Sequence, residues 1–253
     1  MVTSSQAIVT SQTQPSPSKP ANHPCTHCKW LPRLTASTPS NTPQQERDTP
    51  MSTMTSKRKL SLDDILDHRA YERVREERRN EVIEVKRRRR LHLGTVVTVA
   101  FENRKTMLNQ IQEMLRVERT VTDEGVMEEL RAYNPMIPEP GQLCATLFIE
   151  LTSEDQMREW LPKLVGIEKS LVIVLADGSK IRCVVDEQHA EGLTRETVTA
   201  AVHYVRFDFT PAQVETFAKG GVQLRCDLSN YLEAIELPDF TVTELLTDLR
   251  DDA

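Results

Sequence analysis

With 253 residues, 38% of them hydrophobic, and a formal net charge of −6, the chain can bury one sizeable core and is expected to form one domain or at most two. No uninterrupted apolar run reaches the roughly 18 residues that a membrane-spanning helix requires, which excludes a helical membrane protein. Five cysteines are too few and too scattered for a disulfide framework, and the start of the chain lacks the basic and apolar regions of a secretory signal; both point to the cytoplasm.

The charge is unevenly divided. Residues 1–56 hold four basic and two acidic side chains, residues 57–90 hold 13 and 8, and residues 91–253 hold 15 and 28. A basic stretch therefore precedes an acidic body. Such a stretch can serve a polyanion, or the acidic body itself can hold it.

Residues 1–56 are rich in Ser, Thr, Pro, Gln and Asn and show no apolar period, so they cannot offset the entropy of ordering and are expected to be a disordered leader. Met51 and Met54 stand just before the change in composition, consistent with an upstream extension, and the many hydroxyls with few acids also suggest a transit-like segment. Ser61 with Asp64 predicts a helix start, and Leu62, Ile65 and Leu66, then Tyr71, Val74, Val82 and Val85, carry an apolar stripe to about Arg90, in one helix or two. Residues 57–93 thus form a basic helical arm, followed by a body over 94–253.

In the body, Thr95 to Phe101 predicts the first strand, and Met107, Leu108, Ile111, Met114 and Leu115 predict an amphipathic helix over 104–119. A second helix follows from Asp123 to Ala132, and Pro135, Pro138 and Pro140 enforce a loop. Leu143 to Leu151 reads as a strand, and Ser153 opens a short helix that Pro162 interrupts or ends. Asp177-Gly178 between two β-branched runs predicts a tight hairpin. After a polar connector from His189 to Thr197, Ala200 to Phe209 reads as a strand and Thr210-Pro211 as a helix start with Gly220-Gly221 at its end. Val222 to Leu228 is expected to be the last strand, and Thr241 with Glu244 to cap a C-terminal helix. Helices and strands mix without regular alternation, which predicts an α+β domain with a mixed, mainly antiparallel sheet of about six strands.

Chemistry is sparse. Cys25 and Cys28, preceded by His23, are half of a metal or redox site, and no second pair follows at the spacing a zinc site needs. Lys86, Arg87, Arg88, Arg89 and Arg90 are candidate polyanion contacts, although positive charge at a helix C-terminus also has a purely structural use. Cys144, Cys183 and Cys226 sit in apolar runs and read as core thiols. No phosphate loop, dinucleotide fingerprint, nucleophile elbow or His-Glu-x-x-His helix is present, and no cofactor is expected.

The segments Phe101-Glu-Asn-Arg-Lys-Thr-Met107, Gln110 to Arg116 with Glu118-Arg119, Glu128 to Pro135, and His203-Tyr-Val-Arg-Phe207, in this order, resemble an uncharacterised bacterial family, the domain of unknown function numbered thirty-five-oh-one. The resemblance spans about residues 58–231. It implies no assigned activity. It does imply gene company with rubrerythrin and an iron-sulfur protein similar to heterodisulfide reductase subunits, hence an accessory role in peroxide or redox defence. Within these segments Glu113, Arg116, Glu118, Arg119, Tyr133, Asn134, His203 and Arg206 are the candidate pocket residues, a set suited to a small anion or to a partner's carboxylates. The expected function is a non-catalytic docking partner of that redox system. The alternatives are an anion binder or enzyme using the Glu/Arg/Tyr/His set, and nucleic-acid binding through the basic helix. The sequence does not indicate an oligomeric state.

Overall fold

The computed structural model describes residues 56–185 and 198–250. The leader with Cys25 and Cys28, and the connector with His189, lie outside the described residues. What is described is α+β: six α-helices and nine strands, with every strand pair antiparallel.

After a 3-10 turn at Leu62–Asp64, helix α1 runs His68–Arg89. Its N-cap is Asp67, whose carboxylate accepts from the amides of Arg69 and Ala70, so the long helix begins six residues later than the Ser61 signal suggests. It also ends one residue early. Arg90–Leu93 is strand β1, an edge strand that pattern reading had absorbed into the helix. Then come β2 (Val97–Glu102), α2 (Arg104–Glu118), α3 (Asp123–Tyr133) and β3 (Gln142–Ile149). Helix α4 (Glu154–Lys163) is capped by Ser153 and carries Pro162 in its last turn, one residue before the helix ends.

Strands β4 (Leu171–Val174) and β5 (Lys180–Arg182) form the expected hairpin, with Gly178 at φ 83° in the turn. β6 (Val184–Val185), β7 (Val202–Asp208), α5 (Pro211–Phe217) and β8 (Gln223–Leu228) follow. β8 is not the last strand. Tyr231–Glu236 returns beside it as β9, and α6 spans Asp239–Leu249, beginning before Thr241.

The strands make two sheets rather than one, in the orders β1-β2-β3-β7-β6 and β5-β4-β8-β9. One extended segment serves both: β5 pairs with β4, β6 pairs with β7, and between them the Cys183 amide donates to Leu171 O. Near the opposite edge the Tyr231 hydroxyl donates to Leu93 O at 2.6 Å and accepts from the Val96 amide at 3.2 Å. The facing sides of the sheets enclose the main core, including Val99, Phe101, Leu147 and Phe207 from one and Leu171, Ile173 and Leu224 from the other, with Phe217 of α5 and Leu245 of α6 against them. Burial of this apolar area is the principal stabilising term.

The other side of the five-stranded sheet is covered by α1, α2 and α3, and it is enclosed as fully: every residue of β2 is buried. The basic arm is part of this construction. Tyr71, Val82 and Val85 of α1 are buried, and Leu91 and Leu93 belong to the core.

Candidate functional site

A concavity of about 210 Å³ lies where the arm crosses α2 and the start of α3. Its wall is built first by Gln112, whose side-chain amide brackets the extended backbone at Leu66, accepting from Leu66 N and donating to Leu66 O at 3.1 Å each. That clamp lays Leu62, Ile65 and Leu66 along one side; Leu115, Val121 and Val126 form the other, and Tyr71 lines it as well. Asp67, His68, Arg116 and Asp123 also line it. The turn from α2 into α3 shapes its lip. Arg119 ends α2 in the left-handed conformation at φ 58°, and the Thr120 amide returns to Leu115 O, leaving Val117 64% and Val121 79% exposed.

Behind this cleft, Glu113 is buried between α1 and α2. It accepts from the Tyr71 hydroxyl at 2.7 Å and from Arg75 through both oxygens, at 2.7 and 2.9 Å. Burial works to raise the Glu113 carboxyl, but the Arg75 and Tyr71 hydrogen bonds outweigh it and hold the group below its ordinary range. The same burial and the neighbouring carboxylate push the Tyr71 phenol up. Neither group is poised to exchange a proton near neutrality.

The eight residues singled out from the sequence do not share one pocket. Glu113 supports the cleft and Arg116 lines it, its guanidinium bonded to Glu72. Glu118 and Arg119 lie at the end of α2, where Arg119 is exposed and acts through its backbone. Tyr133 is buried at the end of α3. Asn134 is a clamp like Gln112: its side chain accepts from Leu60 N at 2.8 Å and donates to Leu60 O at 2.9 Å. Arg206 is paired with Asp208 at 3.0 Å. His203 is directly opposite the core residue Leu147 in the β3–β7 register, on the far side of the sheet from α2. Its Nε2 lies 2.8 Å from Thr199 Oγ1 and 2.9 Å from Ala200 O, and burial lowers its pKa and favours the neutral ring.

The basic run is divided in the same way. Arg89, 1% exposed, spans to α6, donating to both oxygens of Asp248 at 2.5 and 3.1 Å and to Glu244 at 2.9 Å. Burial alone would depress its guanidinium; the two carboxylates outweigh that and raise it. Arg88 also reaches Glu244, at 2.9 Å, and Arg90 meets Glu150 and the ring of Phe148. Of the five, half-buried Lys86 and exposed Arg87 make no hydrogen bond or ion pair to another described element, Arg87 meeting Glu84 one turn away at 3.9 Å. Ahead of α1, Arg58 donates to Pro138 O and Asp248 O, and Lys59 to Asn134 O and Ile137 O. The acidic body holds the arm.

The three described cysteines are free and buried, and burial pushes Cys144 to about 12 and Cys183 to about 11. They are thiols, not nucleophiles. Among the described residues no group of three or more His, Cys, Asp and Glu side chains is arranged to hold a metal ion, and no helix is long and apolar enough to cross a membrane.

The sequence reading missed Tyr71, Arg75 and Gln112. The spacing of Tyr71 and Arg75, four apart on one helix, was visible; that both meet one buried carboxylate from another helix was not.

Together these features define a two-sheet α+β domain with a helix-lined cleft and internally neutralised charges. The chain belongs to the family described as "Protein of unknown function (DUF3501)", whose profile matches residues 59–249. It is similar to a solved structure, the crystal structure of a novel protein of unknown function from Burkholderia pseudomallei, with 34% identity and a TM-score of 0.69 over 75% of this chain and 98% of that one. No curated protein matches.

Proposed function

We propose that this domain is a non-catalytic docking protein, and that the cleft between the arm and α2–α3 receives an apolar side chain of a partner protein. The observation that carries this reading is the cleft itself: an apolar strip of Leu62, Ile65, Leu66, Leu115 and Val126, exposed Val121 at its lip, and a size that suits one large side chain. Asp67 and Asp123 at its rim, and the excess of acidic side chains after residue 90, favour an anchor flanked by basic residues. The Glu, Tyr and Arg groups that an acid-base mechanism would draw on around the cleft are engaged with one another, which supports binding over catalysis. The gene company implied by the family resemblance makes rubrerythrin and its iron-sulfur companion the first partners to test.

Calorimetric titration of the purified domain with each of those proteins is the direct experiment, paired with Val121→Lys. That side chain is 79% exposed, so the substitution leaves the fold intact while placing charge in the lip. Expected is saturable association that Val121→Lys weakens by tenfold or more, about 1.4 kcal/mol. Absence of association at low and moderate salt, or equal affinity in the variant, overturns the proposal.

A further inference from the structure

The outward face of the four-stranded sheet is open to solvent. Strand alternation sends Leu171, Ile173, Ile181 and Leu224 into the core and turns Lys180, Arg182, Arg225, Asp227, Leu232 and Glu236 outward, where all six are exposed. Val172 and Val174 also point outward, yet they are only 4% and 9% exposed. Their register neighbours account for this: Val172 is flanked by Arg182 and Arg225, Val174 by Lys180 and Gln223, and Arg182 crosses β4 to reach Asp227 of β8 at 3.1 Å. Long polar side chains cover an apolar floor.

The charge on this face differs from that of the body around it. Elsewhere Arg104, Arg116, Arg158, Lys163 and Arg250 each meet a carboxylate. Here Arg182 alone does so, with Asp227. Arg225 donates to the neutral Gln223 amide oxygen at 3.0 Å, and exposed Lys180 makes no ion pair among the described residues. Two further exposed cations without an ion pair stand at the margins. Lys169 holds one, its carbonyl accepting from Arg182, and Lys219, beside the β4–β5 turn, acts electrostatically on Asp177. Because Arg182 already neutralises Asp227, the sheet surface keeps an excess of positive charge, with Glu236 on the far strand as its other acid.

We infer that this face docks a short acidic segment of a partner protein, whose carboxylates meet Lys180 and Arg225 and whose apolar side chains lie over exposed Leu232 and Ala234. Charge complementarity selects that occupant. A nucleic acid fits less well, because none of the outward residues of the four strands is aromatic and a base would find nothing to stack on. The excess of acidic side chains after residue 90 also repels a long polyanion beyond the patch, whereas a short peptide feels the cations within a Debye length, about 8–10 Å. Two sheets separate this face from the helix-lined cleft, and the inference does not depend on what the cleft receives.

The test is fluorescence anisotropy of a short labelled polyglutamate peptide, and of an oligo(dT) of matched charge, titrated with the whole chain at low and moderate salt. Two double variants accompany the wild type: Lys180→Gln with Arg225→Gln, both exposed so that the fold is kept, and Lys86→Gln with Arg87→Gln, which removes the same charge from α1. Expected is saturable binding of polyglutamate that the sheet variant weakens by roughly tenfold and the α1 variant leaves nearly unchanged. Absence of binding, or equal weakening in the two variants, overturns the inference. So does oligo(dT) binding as tightly as polyglutamate, which would make the face a nucleic-acid surface instead.

Discussion

On the inner side of the five-stranded sheet, Val99, Phe101, Leu147 and Phe207 meet the second sheet through carbon; on the outer side, Thr98, Glu102, Thr146 and Tyr204 are as thoroughly enclosed, but by helices and through oxygen and nitrogen. Strand alternation puts both sets on the same three strands, β2, β3 and β7. The inner layer is mostly carbon, with the buried neutral His203 as its titratable exception, and sets how stable the domain is. The outer layer, with the Glu113 and Arg89 networks behind it, sets which arrangement of helices is allowed, because each buried polar group accepts only a partner of the right charge and geometry. Charges recruited for that purpose are lost to the surface, which is why a chain with 28% charged residues shows so few unengaged ones near its cleft.

The comparison can be broken from either side. Phe207→Ala, a wholly buried ring replaced by a void, should cost about 3–5 kcal/mol in a denaturant titration and leave the acid sensitivity of the domain unchanged. Arg89→Met should cost about 3–5 kcal/mol for the opposite reason, stranding the buried Asp248 carboxylate, and Arg89→Met with Asp248→Leu should recover most of it. Failure of the double variant to recover would mean that the pair is needed for more than mutual neutralisation.

Smaller changes sharpen the contrast. Gly94→Ala, in the β1–β2 turn at φ 71°, should cost about 1–2 kcal/mol from the left-handed backbone alone and more from packing. The new Cβ would lie 2.5 Å from the Tyr231 hydroxyl, the group that ties β9 to this turn. Glu113 should contribute a distinct acid limb. Because its folded pKa is depressed below the ordinary 4.5, its contribution is complete above that value and is lost as pH falls through the lower folded one. Stability measured from pH 6 to 3 should therefore fall less steeply in Glu113→Gln than in the wild type. The smallest effect belongs to Arg87→Gln, which should lie within about 0.5 kcal/mol of the wild type. Retention on heparin that depended strongly on Arg87 and Lys86 would restore a polyanion role to this end of α1.

Much of the local structure was legible in the residues. The β-branched alternation of Val97 to Phe101, the caps Ser153 and Thr210, and the Asp177-Gly178 turn all act over a few residues, so their outcome does not depend on the rest of the chain. Less legible were β1, which continues a basic helix without a break in composition, and β9, whose exposed Leu232 and alternating acids gave no clear strand signal.

What the sequence determined by itself was the class of fold, the boundaries set by caps and glycines, and the separation of a basic arm from an acidic body. The tertiary structure alone decided that the strands divide into two sheets, that Arg89 is interior while Arg87 is not, and that His203 lies on the opposite side of a sheet from Glu113. Periodicity records which side of an element is apolar, whereas the meeting of two polar groups depends on long-range register and on the cost of leaving either one buried alone, and neither is written in any single segment.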